Sequence, residues 1–296
     1  MGGDFRRRDI GALSDRELWT EYLEVWWPRV LRGINLHPDA TSQALGMMAL
    51  LDGLFKSWGE GPELARELVT GIADLRSAEM APALWSIAQQ LRQTGLEPIV
   101  LDNDSSEVFD KLRAVPAAAP AVEMLERFLR AHGHRAKIEA ELRYPRWSEA
   151  PEQVVEALVG FLGDTAAGDP HAVESDNRRR HDAAARALDT RLAPCRRWVV
   201  KGIVARARRL VRLRDNGQHY LVKLVLPVRR LFAEFGLRWA ARGWLTRPDD
   251  VFFLDLSELS KVITAGDPGA AGLDLVSLRH VGEWRMSTGS RLPRPR

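Results

Sequence analysis

The stretch FLRAHGHRAKIEAELRYPRW, residues 128–147, gathers side chains able to do chemistry into one connection. His132 and His134 flank Gly133, Arg135 follows, and Glu139 and Trp147 lie downstream. Histidine exchanges protons near neutral pH, and arginine recognises phosphate or carboxylate with a fork of N–H donors. Facing a cleft, His134 and Arg135 would position an acceptor hydroxyl or a phosphate. The structural alternative is that His134 caps a helix end and that Arg135 and Glu139 pair to fix the loop. Histidines at i and i+2 do not share a helix face, so no metal is expected there, and no cysteine cluster points to zinc.

A second candidate is RLRDNGQHYLVK, residues 212–223. If helix runs through it, Arg214 and Gln218 become i, i+4 neighbours and Arg214 can meet an anion. The alternative is a kinked helix with a solvated basic face, because Gly217 costs helix stability unless the break is used. The familiar nucleotide and hydrolase signatures are missing: no GxxxxGK[ST], GxGxxG after a strand, GxSxG or HExxH occurs.

Composition narrows the classes. The 296 residues carry 43 basic and 40 acidic side chains, a net charge of +3, so no general nucleic-acid partner is expected. A lone cysteine, Cys195, excludes an internal disulfide and fits a reducing, cytoplasmic setting. No secretory signal or membrane-spanning run is read in the chain. Ten tryptophans are many. Most are expected in the core, with some lining a pocket for a large apolar ligand.

The elements that must hold these residues read as helices nearly throughout. Ser14 and Glu17 form a capping box ahead of Leu18, Tyr22, Val25 and Trp26 on one face. Pro28 is expected to end or kink that helix. Ser77 is expected to cap and Gly95 to stop the helix that carries Trp85. Gly133 is expected to end the helix before the first candidate. Pro194, Asp215-Asn216-Gly217 and Pro227 are expected to punctuate the basic region beyond residue 173. The fold class is therefore mainly α, a multi-helix domain with one short strand-like segment, DDVFFLDL, near the C-terminus. An N-terminal helical lobe over 1–163, a linker over 164–172, a C-terminal helical lobe over 173–276 and a linker-like tail over 277–296 complete the expectation.

Three stretches in order resemble a known family. GHRAKIEAELRYPRW is similar to the GHR…E…PRW stretch of the phosphoenolpyruvate-utilising phosphotransferases, of the phosphoenolpyruvate synthase and rifampin phosphotransferase type. GLRWAARGWLTRPDDVFFLDLSEL resembles that family's segment ending in P-x-D-V-F-F-L-x-x-x-E-L, and LVTGIADLRSAEMAPALWSIAQQLR a third stretch with a Leu-Trp helix. The resemblance implies an acceptor-binding, mostly helical central domain. His134, Arg135 and Arg214 would be its catalytic residues, and Glu139, Trp147, Asp215, Gln218 and Trp85 its substrate-binding ones. At the family's R-E-x-x-K, Asp215 replaces Glu and Gln218 stands where lysine is common. The family's ATP-grasp part and its GG-x-x-S-H phosphohistidine part have no counterpart in this sequence. The resemblance therefore implies no cofactor on this chain, ATP and Mg²⁺ on a partner subunit, and a bulky, apolar small-molecule acceptor. The alternative is a non-catalytic small-molecule-binding or scaffold protein derived from that domain.

Overall fold

The computed structural model describes residues 9–163 and 169–275. Among them it contains eleven α-helices and no strand. These are α1 (Asp15–Thr20), α2 (Trp27–Ser57), α3 (Pro62–Leu68), α4 (Met80–Gln93), α5 (Glu97–Leu101) and α6 (Ser105–Arg113). They continue with α7 (Ala119–His132), α8 (Glu152–Gly163), α9 (Pro170–Arg191), α10 (Pro194–Ala241) and α11 (Leu256–Ala265). Residues 164–168 of the expected linker and the tail 277–296 lie outside the described residues. Residues 170–172 form the first turn of α9, which Asp169 caps by accepting from His171 N.

The chain divides into two compact units that interleave along the sequence. One comprises residues 1–31, 138–144 and 223–296, and the other residues 32–137 and 145–222. Helices α2 and α10 contribute residues to both.

In the smaller set of segments, Ser14 and Glu17 close the capping box that starts α1. A π-helical turn, Glu21–Trp26, follows. Pro28 then sits second in α2 and the helix continues, because the wider turn before the proline alters the bonding ladder where its donor is missing. Leu18, Tyr22, Leu231, Phe235, Trp239 and Val251 are buried here, with Tyr22 edge-on to Phe232 at 5.1 Å. Asp15 is the polar anchor. Its carboxylate accepts from Arg238 Nη1 at 3.1 Å, Trp239 Nε1 at 3.1 Å and Arg242 Nη1 at 2.6 Å. Burial alone would raise its pKa, but these donors outweigh burial and hold it below the ordinary carboxylate value.

The segment expected as a strand is a 3-10 helix, Pro248–Phe253. Its start is set by Asp250, whose carboxylate accepts from Arg247 N at 2.8 Å. Phe252 lies under Arg229 and Phe253 under Arg143, at 4.8 and 5.5 Å from guanidinium to ring centroid, so cations cover rings that a sheet face would otherwise have had to bury. The carbonyl of Pro248 lies where a side chain on Gly236 would start, 2.1 Å from an ideal Cβ. Only glycine admits that approach of 3-10 helix to α10.

Among the described residues, two hydrophobic cores lie in the larger unit. The first joins α4 to α8 through residues such as Leu91, Val108, Leu112, Leu125, Val155 and Leu158. In α4, Leu84, Ile87, Ala88 and Leu91 recur at i, i+3, i+4 and i+7 and are buried. Each leucine or isoleucine so buried stabilises the fold by about 1.5–3 kcal/mol. Gly95, at φ +65°, stops this helix. Ser77 does not cap it; α4 begins three residues later. The second core joins the C-terminal part of α2 to α3, α9 and the first half of α10.

Helix α10 runs unbroken for 48 residues, through Asp215-Asn216-Gly217 and through Pro227. The expected punctuation is absent there because tertiary packing outweighs the local cost, about 1 kcal/mol for glycine and about 3 for proline. Pro194 does mark its start. The tryptophans divide: Trp239 is fully buried, whereas Trp198 is 79% exposed and so is no core residue.

Candidate functional site

Helix α7 ends at His132, and Gly133 N donates to Leu129 O at 2.7 Å. A Cβ at Gly133 would lie 2.3 Å from that oxygen and 2.9 Å from Ser148 Cβ, so glycine lets the chain turn directly against the 146–149 loop. Two backbone bonds then tie the loops together, Trp147 N to Arg135 O at 2.8 Å and Ser148 N to Gly133 O at 2.9 Å. The Arg146 backbone N–H donates to Glu149 Oε2 at 3.0 Å, which turns the second loop back on itself.

The side chains so placed are buried. His134 is 4% exposed, Arg146 0%, and His132 and Arg135 are buried with them. Trp147 stacks on Phe128 of α7 at 5.9 Å. The ring of His134 meets that of His219, on α10, at 4.6 Å and 83°. The two segments that the sequence singled out therefore converge, but through His219 rather than through Arg214.

Arg214 and Gln218 are i, i+4 neighbours on continuous helix, and both are exposed. Asp215 is bound to structure: Ser77 Oγ donates to its Oδ1 at 2.5 Å and Ser77 N to its Oδ2 at 3.2 Å. Asn216 accepts from Arg76 N and donates to Asp74 O, both at 3.2 Å. Together they fasten the loop before α4, where Asp74 holds a positive φ of 62°. Trp85 packs elsewhere in the unit, edge-on to Phe161 at 6.3 Å and under Arg92. Glu139 belongs to the other unit.

Two residues of the site, Arg146 and His219, escaped the sequence reading, which weighs His132 only as a metal ligand. A signal existed for His219. On an unbroken helix His219 lies four residues after half-buried Asp215 and three before buried Val222, and is itself buried.

A groove of about 320 Å³ adjoins this cluster between α4 and α7. Ile87, Met124 and Phe128 give it apolar walls, and Glu79, Ser86 and Arg127 line it with polar groups. His132 closes the end toward the Gly133 turn. Among the described residues no three His, Cys, Asp or Glu side chains assemble as a metal site, and no helix is long and apolar enough to cross a membrane.

The model of the rifampicin phosphotransferase fourth domain matches residues 37–215, well over half the chain. The chain belongs to that family. The matched residues supply the His132–Arg135 turn, the Arg146–Glu149 loop, the groove and α10 as far as Asp215. The rifampicin phosphotransferase of Streptomyces sviceus is 20% identical over 242 residues, which cover 77% of this chain and 28% of that protein. The chain thus spans little more than a quarter of the length of the curated relative it matches.

Proposed function

We propose that this chain is the acceptor-binding component of a phosphotransfer system of the phosphoenolpyruvate synthase and rifampicin phosphotransferase type. Its membership of the fourth-domain family, with the match running through the groove and the buried histidine–arginine turn, carries the reading. The acceptor is an apolar small molecule with a hydroxyl, part of which lies against Met124 and Phe128. His134 and Arg135, being buried, act by holding the turn in place. Arg214, exposed on α10, supplies the cation that meets the incoming phosphoryl group. Separate ATP-grasp and phosphohistidine polypeptides bring ATP and Mg²⁺ and carry the phosphoryl group.

Co-purification of the tagged chain from its native extract tests this, followed by transfer assays in which recovered partners are mixed with ATP, Mg²⁺ and hydroxyl-bearing macrocycles, rifampicin among them. Phosphorylated acceptor that depends on every part, with Arg214→Ala lowering turnover about tenfold or more while the fold is kept, is the expected result. Transfer from ATP by the chain alone would overturn it.

The turning of His134 and His219 onto each other favours a second reading, a binding or scaffold protein that performs no transfer. Acceptor binding unaffected by any partner, with no phosphorylation in the full mixture, would select it.

A further inference from the structure

A second, larger cavity lies away from the groove, where α9 and α10 pack in the larger unit. On α10, Lys201, Val204, Ala205, Arg208, Arg209 and Arg212 follow the spacing of a single helix face. From α9 come His181, Ala185 and Leu188, also one face, and Leu68 of α3 completes the wall. The pocket is open to solvent, and its volume of about 530 Å³ is within the range of small-molecule sites.

Its charge is one-sided. Four lining side chains are cations and, among the described residues, no Asp or Glu lines it. Asp189 stands at the edge and is engaged by Lys201 Nζ at 2.7 Å. Arg208 is held without a carboxylate: it donates to the carbonyls of Leu68, Thr70 and Gly71 at 3.2, 2.5 and 3.0 Å. Its Nη1 also lies 3.1 Å from His181 Nδ1. Arginine only donates, so Nδ1 accepts and the ring proton sits on Nε2. Carbonyl oxygens satisfy the N–H groups but leave the positive charge uncancelled. Burial and the neighbouring charge of Arg212 both lower the pKa of Arg208, against the opposing pull of Asp182. Arg212 uses Nε on Ala73 O at 3.2 Å, and exposed Arg209 has no carboxylate partner among the described residues.

We propose that this cavity binds an apolar small molecule bearing a single oxyanion group, a carboxylate or phosphate. Arg209 and Arg212 take the oxyanion, and Leu68, Leu188 and Val204 take the apolar body. Forked N–H donors match the geometry of either anion, and the aliphatic floor rewards a body that inorganic phosphate lacks. The site does not rest on the phosphotransfer reading, since it shares no lining residue with the groove beside His132.

Titration calorimetry on the full chain tests it with 1-naphthyl phosphate, 2-naphthol and inorganic phosphate as probes. The expected result is 1-naphthyl phosphate binding at least about tenfold more tightly than either of the others. Arg209→Glu should weaken it by about tenfold or more, while Arg206→Ala, outside the cavity on the same helix, leaves it unchanged. Arg209 is exposed, so its reversal spares the fold. No binding of 1-naphthyl phosphate, equal affinity for 2-naphthol or inorganic phosphate, or equal weakening by Arg206→Ala would each overturn the proposal.

Discussion

The imidazole of His134 stands edge-on to that of His219, their centroids 4.6 Å apart, and so joins the turn after α7 to the middle of α10. Both rings are buried, which makes the contact a packing joint. Replacing either with alanine leaves a gap against the other, and each change should destabilise the chain by about 1–3 kcal/mol. The double variant should cost less than the sum, with a coupling of about 0.5–1.5 kcal/mol in a denaturant-melt cycle. Additive losses would mean that the two rings do not support each other.

Gly133→Ala should be more damaging than its size suggests. The added methyl group would lie 2.3 Å from the Leu129 carbonyl, and backbone must move to admit it. We expect a loss of about 2 kcal/mol or more, read as a lowered urea midpoint. Gly46→Ala, where the space is open, should be neutral or mildly stabilising on the same measurement.

Asp215 stands where the family's R-E-x-x-K pattern has glutamate, and its carboxylate holds Ser77. Asp215→Ala and Ser77→Ala should each destabilise by about 1 kcal/mol, with little added by combining them. Hydrogen exchange should quicken over residues 74–79 in all three variants. Unchanged exchange there, with lost acceptor binding, would return Asp215 to the site.

Asp15 gives a pH signature. Its pKa is lowered in the folded chain, where bonds to Arg242, Trp239 and Arg238 outweigh the opposing effect of burial. A carboxylate whose folded pKa is depressed contributes stability fully above its unfolded pKa, and the contribution fades as pH falls through the folded value. Asp15→Asn should therefore cost about 2 kcal/mol at neutral pH. The gap between wild type and variant should stay flat down to the ordinary value of 3.8 and close only below it.

Where bonding is local, the sequence was readable. Ser14 with Glu17 and the glycine stops at Gly95 and Gly133 depend on residues within a few positions of one another. Where the decision belongs to distant partners, it was not. Ser77 has the chemistry of a cap, but Asp215 on α10 claims both its hydroxyl and its N–H. Val251, Phe252 and Phe253 have the chemistry of a strand, but Arg229 and Arg143 cover the two phenyl rings. Gly217 and Pro227 look like breaks, yet α10 runs through both. Reading a break at Gly217 is what concealed His219, since its inward position follows only from an uninterrupted period.

Several arginines reach peptide oxygens, Arg238 while also bonding Asp15 and Glu234. Arg92 reaches the carbonyls of Phe161 and Leu162, Arg229 those of Leu142 and Arg143, and Arg238 those of Ile10, Gly11 and Leu13. Lysine has neither the breadth nor the planar spread to strap two or three such oxygens at once. The scarcity of lysine, six among 43 basic residues, then acquires a mechanical meaning. Loops are laced to helices by flat forks that each grip more than one oxygen, so a lysine placed at any of these positions should slacken its loop although the charge is kept.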